Sequence, residues 1–315
     1  MSGFLDRLKQ RLKGGEPPAP AVTVAAAPPP RMIVDLDATL SAAYPFEYPI
    51  AKAATERVLS AVNGVDLEPL ATQSPSLRGY DWTNYLRCSQ CRIVRFHRAL
   101  AQHLPAGARV LDFGSYFGNF GLTLAAAGFR VEAVDSYLTY GSALANLVEL
   151  QRSAGIVIHD FATVGYDLAG FAPQSFDAVL CAGVIEHMAH TPRLLLESLT
   201  RVLRPGGVMV LDTPNLAYLY KRLNLLDGRS VFPPITDQYF TRIPFEGHHR
   251  EYVVDEIDWM LKTAGHTVVS LETFNYSVFG LTELSGNDAL YFREMESDWT
   301  LREVIIAVSR VAAHD

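Results

Sequence analysis

The stretch that most constrains this chain runs from Ala108 to Tyr137, ARVLDFGSYFGNFGLTLAAAGFRVEAVDSY. Its pattern predicts a strand over 109–113, a glycine turn over 114–118, a helix over 117–127, a second strand over 130–134 and an acidic residue, Asp135, at that strand's end. Gly114 and Gly118 let the backbone turn tightly and approach a ligand that a Cβ would block. The helix that follows aims its N-terminal N–H groups at the same spot. An acidic residue at the tip of the second strand is placed to accept hydrogen bonds from both hydroxyls of a ribose. The unit is a nucleotide-type site.

Its surroundings fit one large α/β domain with an appendage, since 315 residues with about half apolar and 19% charged can bury a full-sized core. A net charge of −7 argues against general nucleic-acid binding, which needs a surplus of Lys and Arg on some face. Three cysteines cannot build a disulfide framework, and no apolar run of spanning length appears, so a reducing cytoplasm is the expected compartment. Cys88-Ser-Gln-Cys91 is a lone C-x-x-C and reads as a pair of helix cysteines.

Residues 2–13 place Phe4, Leu5, Leu8 and Leu12 on one helical face, with Arg7, Lys9, Arg11 and Lys13 elsewhere. Such a face could dock on a partner or rest peripherally on a membrane, although twelve residues make a marginal helix in isolation. Residues 14–31 are a Pro/Ala-rich linker. Residues 32–105 turn helical, with candidates at 51–62 and 82–103, and form a cap in which Tyr80, Trp82, Tyr85 and Arg92 could line an acceptor pocket or pack as core. From 106 to 315 strands and helices alternate, as in a parallel sheet covered on both faces, with strands expected at 155–159, 176–180, 208–211, 266–272 and 301–309. A long insertion over 215–250 carries Tyr218, Tyr220, Phe232, Tyr239 and Phe245 and reads as a lid over an acceptor, with a satellite core as the other reading.

The turn is G-x-x-x-G-x-x-G, not the G-x-G-x-x-G of dinucleotide sites, and no Y-x-x-x-K spacing of the short-chain dehydrogenases follows it. Asp112, two residues before Gly114, is a carboxylate at a strand end where a cationic ammonium could be held. Here the sequence resembles the class I S-adenosylmethionine-dependent methyltransferases, over about residues 95–310. VLDFGSYFG is similar to that family's first motif, and FDAVLCAGVIEHM with LTRVLRPGG to its fourth strand, following helix and turn. VIEH, LDTPN and GHHREYVVDEIDWMLKTAGH resemble small-molecule and sugar O-methyltransferases, including those of ubiquinone biosynthesis.

The resemblance implies a Rossmann-like seven-stranded sheet of order 3-2-1-4-5-7-6 with the last strand antiparallel, and S-adenosylmethionine as cofactor. It implies cofactor contacts from Asp112, Gly114, Ser115, Gly118, Asp135 and Ser136, from Asp160 and Phe161 at the adenine, and from Ala182. Tyr116 departs from the pattern, because a middle glycine is usual there, and its side chain could narrow or cover the methionine end.

Methyl transfer to a hydroxyl needs alignment and a base. Candidates are His187, with Glu186, just after the fourth strand, and His248 in the HHRE segment. His187 could instead cap the strand end, and Arg250 and Glu251 could simply pair on the surface. The trio Glu186, His187 and His190 suggests a metal, but metal-binding small-RNA 2′-O-methyltransferases carry a further glutamate where this chain has Gly183, so none is expected. The leading expectation is O-methylation of a sugar, glycolipid or other hydroxylated small molecule. N-methylation of an amine, or a scaffold that keeps the fold without catalysis, are the alternatives.

Overall fold

The computed structural model describes residues 30–71, 77–241, 245 and 247–312, so segment 2–13 and the linker up to residue 29 lie outside the described residues. An N-terminal extension carries β1 (Arg31–Ile33), α1 (Leu36–Ala43), α2 (Glu47–Val62), α3 (Trp82–Cys88) and α4 (Gln90–His103). The alternating part holds β2 (Arg109–Phe113), α5 (Asn119–Ala126), β3 (Arg130–Asp135), α6 (Tyr137–Tyr140), α7 (Ala145–Ser153), β4 (Val157–Asp160), α8 (Phe161–Val164), β5 (Phe176–Ala182), α9 (Arg193–Val202) and β6 (Leu203–Pro214). The chain closes with α10 (Leu219–Leu226), α11 (Ile235–Phe240), α12 (Val254–Thr263), β7 (His266–Phe274), β8 (Glu283–Ser285), α13 (Gly286–Ser297) and β9 (Val304–Val311).

Seven strands form one sheet in the order β4-β3-β2-β5-β6-β9-β7. Strands β2 to β6 run parallel, and β9 runs antiparallel to both of its neighbours, β6 and β7. Numbered along the chain within the sheet, this is 3-2-1-4-5-7-6, the Rossmann-like arrangement the resemblance implies. Parallel pairing brings the C-terminal ends of β2, β3 and β5 to one edge, where ligands bind in open α/β sheets. The apolar central strands are buried on both faces. On one side Val58, Phe96 and Leu100 of the helical extension join Leu122 of α5 over Val110 and Leu180. On the other, Leu195, Leu199, Ile257 and Leu261 pack over Leu111, Val179 and Met209. The extension therefore shares its core with the sheet.

Three local expectations are revised. The helix over 82–103 is two helices, because Ser89 turns its hydroxyl back to the Tyr85 carbonyl at 2.8 Å, the local bond that competes with a continuous ladder. Strand β6 begins at Leu203 rather than at 208, and the RPGG segment becomes an irregularity within it, where the register with β5 shifts between Phe176 and Ala178. A small sheet of β1 and β8 was not foreseen, since three-residue strands carry no readable period. Cys88 and Cys91 are buried and unbonded, and burial pushes their thiols up to about 11 and about 12, as expected of packing residues. Among the described residues no helix is long and apolar enough to cross a membrane.

One buried ion pair ties the extension to the sheet. Arg92 of α4 meets Asp212 of β6 with two bonds, Nε to Oδ2 at 2.8 Å and a terminal guanidinium nitrogen to Oδ1 at 2.5 Å. Asp212 is fully buried and the Arg92 side chain is 12% exposed. Removing one partner strands the other charge in the core, at a cost of roughly 3–5 kcal/mol, whereas replacing both with apolar groups avoids that penalty. Asp212→Ala is accordingly expected to lower urea stability by that amount, and Arg92→Met with Asp212→Leu to lower it by clearly less. A double variant as unstable as the single one would show that packing rather than charge dominates here.

Candidate active site

A cavity of about 590 Å³ opens at the C-terminal edge of the sheet. The glycine turn forms its floor through Gly114, Ser115, Tyr116 and Phe117, and the end of β3 contributes Asp135 and Ser136. Phe161 and Tyr166 form one wall, Ala182, Gly183, Val184 and His187 another. The helical extension closes the top with Tyr80, Trp82, Tyr85 and Arg92, and the 215–250 insertion reaches in with Pro233, Pro234, Phe245 and His248. Of the six aromatics in the insertion, Phe245 alone lines the cavity, and Phe240 is exposed. Tyr218 and Tyr220 pack with Leu219, Met295 and Leu301 in a satellite cluster, while Phe232 and Tyr239 are exposed.

The turn is built from backbone groups. Gly114 and Ser115 donate their amides to the Val134 carbonyl at 2.9 and 3.2 Å, which fastens the turn to β3. Gly114 has φ +82°, and a Cβ there would collide with Val184 Cγ2. At Gly118, φ +76°, it would collide with the Gln151 amide. Tyr116 also adopts the left-handed region, φ +48°, which costs a non-glycine residue about 1–2 kcal/mol. This is the physical reason a glycine is usual there. Its amide donates to Asp135 Oδ2 at 2.6 Å and Ser136's amide to Oδ1 at 2.7 Å, so the carboxylate is oriented at the cavity edge. The Tyr116 ring packs edge-on against Trp82, Phe117 and Tyr140, and so joins the extension to the turn.

Four residues expected to touch ligands do not line the cavity. Asp112 is 1% exposed and lies against Gly121 in the first turn of α5, where its Oδ2 meets no hydrogen-bond partner among the described residues and burial pushes it up to about 7. The sequence aimed this carboxylate at an ammonium; the fold uses it beneath the turn, because the strand's alternation points position 112 inward. Gly118 packs on Gln151 rather than on the cavity. Asp160 caps α8 through the Ala162 amide at 2.9 Å and accepts the Leu138 amide at 2.6 Å, which leaves Phe161 as the member of that pair at the cavity. Glu186 is 2% exposed, and its Oε2 accepts the Thr213 hydroxyl at 3.0 Å. Its carbonyl receives the His249 and Arg250 amides at 2.7 and 3.3 Å, which pins the insertion's end to the strand tip.

The two candidate bases meet. His187 and His248 cross at 84° with ring centroids 4.7 Å apart. His248 Nδ1 lies 2.9 Å from Glu251 Oε1, and the other Glu251 oxygen pairs with Lys221 of α10. Burial and the nearby His187 and Lys221 push His248 well below the usual histidine range, so its ring is neutral at neutral pH. Glu251 is 5% exposed, not a surface partner of Arg250, which pairs with Glu256 instead. The spacing that sets Glu251 three residues after His248 was the available signal; Lys221 left none, because only the fold brings it there. The convergent trio is Glu186, His187 and His248, with one donor atom of each within 4.8 Å of the others, whereas His190 turns to Tyr166 and the Thr191 carbonyl. At Gly183 a Cβ would stand 2.9 Å from the Arg92 guanidinium. The chain's Tyr48–Lys52 pair, a Y-x-x-x-K spacing, sits on α2, where both side chains go to Asp37, and neither lines the cavity.

A Rossmann-like sheet with its first turn closed against β3, a carboxylate held at the tip of β3 and an aromatic wall at Phe161 fits S-adenosylmethionine. Asp135 would hold its ribose, the apolar wall at Phe161 its adenine, and the side lined by Ala182, Gly183, Val184 and His187 its methyl end. These features define a class I S-adenosylmethionine-dependent methyltransferase. A family model described as a methyltransferase domain matches residues 85–271, more than half of the chain, and the chain belongs to that family. It is 28% identical over 176 residues to a "Ubiquinone biosynthesis O-methyltransferase" of Xanthomonas axonopodis pv. citri, covering 55% of this chain and 68% of that protein. The protein of the same description in Xanthomonas oryzae pv. oryzae is 34% identical over 123 residues, 39% of this chain and 49% of its own. A solved structure of a candidate sarcosine dimethylglycine methyltransferase from Galdieria sulphuraria aligns over 82% of this chain and 98% of its own, with a TM-score of 0.50 and 12% identity, a likeness of fold.

Two measurements check this geometry. Asp135→Ala removes a charged acceptor worth about 1.5–3 kcal/mol, so calorimetry with S-adenosylmethionine is expected to show affinity reduced by one to two orders of magnitude; an unchanged affinity would place the cofactor elsewhere. Tyr116→Ala loses the ring and keeps the strained backbone, whereas Tyr116→Gly loses the ring and relieves it. The alanine variant should therefore be less stable than the glycine variant by about 1 kcal/mol in chemical denaturation, and equal stabilities would remove strain from the account.

Proposed function

We propose that the chain methylates a hydroxyl of a sugar, glycolipid or other hydroxylated small molecule held between the aromatic extension and the 215–250 insertion. The observation that carries this is the pair of imidazoles, His187 and His248, on the same cavity as the cofactor turn, with His248 Nδ1 2.9 Å from Glu251 Oε1. An amine acceptor could attack with its own lone pair. A hydroxyl gains from a group that removes its proton as it reacts, and a positioned base supplies roughly 10²–10⁴-fold. The descriptions of the relatives, O-methyltransferases of ubiquinone biosynthesis, support oxygen as the atom methylated.

S-adenosylmethionine supplies an electrophilic methyl on a sulfonium, and this chain's residues supply position and proton transfer. Asp135, oriented by the Tyr116 and Ser136 amides, would hold the cofactor's ribose end. Tyr80, Trp82 and Tyr85 pack on one another at centroid distances of 5.0 to 6.1 Å and offer an acceptor a stiff apolar surface. Aligning acceptor oxygen, methyl and sulfur accounts for most of the acceleration.

The test is a matched panel of hydroxylated and amine acceptors, with the demethylated cofactor product as readout. Hydroxylated compounds are expected to turn over, and His248→Ala to lower kcat by about 10²-fold with little change in S-adenosylmethionine affinity. Turnover confined to amines, with His248→Ala near the parent rate, would replace this reading with N-methylation.

A further inference from the structure

The carboxylate behind His248 does something its partner on the other side makes testable. Glu251 is nearly inaccessible and shared: one oxygen faces His248 Nδ1 at 2.9 Å, the other the Lys221 ammonium. The Lys221 side chain is 13% exposed, and burial lowers it to about 8, which leaves it charged at neutral pH. An ammonium has donors only, and an ionised carboxylate has acceptors only. With Lys221 charged and Glu251 ionised, the order Lys221, Glu251, His248 permits one arrangement of protons, in which Nδ1 of His248 carries the hydrogen.

We propose that Glu251, anchored by Lys221, is the positioning residue that fixes His248 as the Nδ1–H tautomer and so leaves Nε2 as the base toward the cavity. This rests on the reading of His248 as the base. In the step it prepares, the acceptor O–H proton passes to Nε2 while the oxygen–methyl bond forms and the sulfur–methyl bond breaks. The positive charge of the sulfonium ends on the imidazole, next to Glu251. The insertion end that bears His248 is itself held by the His249 and Arg250 amides on the Glu186 carbonyl, so ring position and ring tautomer have separate supports.

A nearly isosteric change separates this from a packing role. In Glu251→Gln the amide oxygen is drawn to the Lys221 ammonium, so the NH2 faces Nδ1 and forces the proton to Nε2. Lys221→Met in the same chain releases the amide to rotate and present its oxygen to Nδ1–H again. The experiment is nitrogen NMR of the histidine rings in the full-length protein, with the parent and both variants saturated with the demethylated cofactor product. Expected are Nδ1–H for His248 in the parent, Nε2–H in Glu251→Gln, and Nδ1–H restored in Glu251→Gln/Lys221→Met, with methyl transfer about 10²-fold down in the first variant and largely recovered in the second. His248 already Nε2–H in the parent, or unmoved by Glu251→Gln, would overturn the proposal. So would sharp paramagnetic loss of the His187 and His248 signals on adding micromolar Mn²⁺ alone, since the cluster would then be a metal site. The base reading fails separately, if His248→Ala leaves transfer intact while the tautomers behave as described.

Discussion

The structure depends on how a five-residue turn, Gly114 to Gly118, is bolted to the end of β3. Three of its residues have positive φ, and at Tyr116, which is not a glycine, that conformation would not persist without compensation. The compensation is a set of amide bonds: Gly114 and Ser115 to the Val134 carbonyl, Tyr116 to the Asp135 carboxylate. The same bonds that stabilise the bend aim Asp135 into the cavity, so fold and cofactor site are one object. Asp112 and Gln151 support the turn from below, which is why two polar residues lie deep in an otherwise apolar layer.

Around that turn the cavity is assembled from parts remote in sequence. Arg92 comes from the extension and is locked to β6 through Asp212, Trp82 comes to lie on Tyr116, and the insertion end is fastened to the tip of β5 through Glu186. The Arg92–Asp212 pair and the Glu186 carbonyl are buried polar groups with defined partners, so both are expensive to break and specific in register. Cap, turn and insertion thus converge on one space, with the glycine turn at one end and the paired imidazoles of His187 and His248 at the other.

Much of the architecture was legible because periodicity and glycine spacing are local. The strands over 109–113 and 130–134 and the alternation after them follow from burial on both faces, and the motif order supplied the sheet order that periodicity could not. The break at Ser89 and the extension of β6 through RPGG were not legible, since each is decided by a single side chain or a register shift rather than by a run. At the site, Gly114, Ser115, Asp135, Ser136, Phe161, Ala182, His187 and His248 reach the cavity as read. Asp112, Gly118, Asp160 and Glu186 do not, because a motif gives residue spacing but not which side of a strand end or turn the side chain takes.

By itself the sequence determined the class of fold, the place of the glycine turn and the acidic tip of β3, since those follow from backbone sterics and short-range pattern. It also marked Tyr116 as the anomaly, and its left-handed backbone says why a glycine is the usual choice. Only the tertiary structure decided that Lys221 and Glu251 stand behind His248, that Arg92 neutralises Asp212, and that His190 stays out of the cluster. The pairs Lys221–Glu251 and Arg92–Asp212 join charges 30 and 120 positions apart, and burial, which fixes their partners, exists only once the chain has folded.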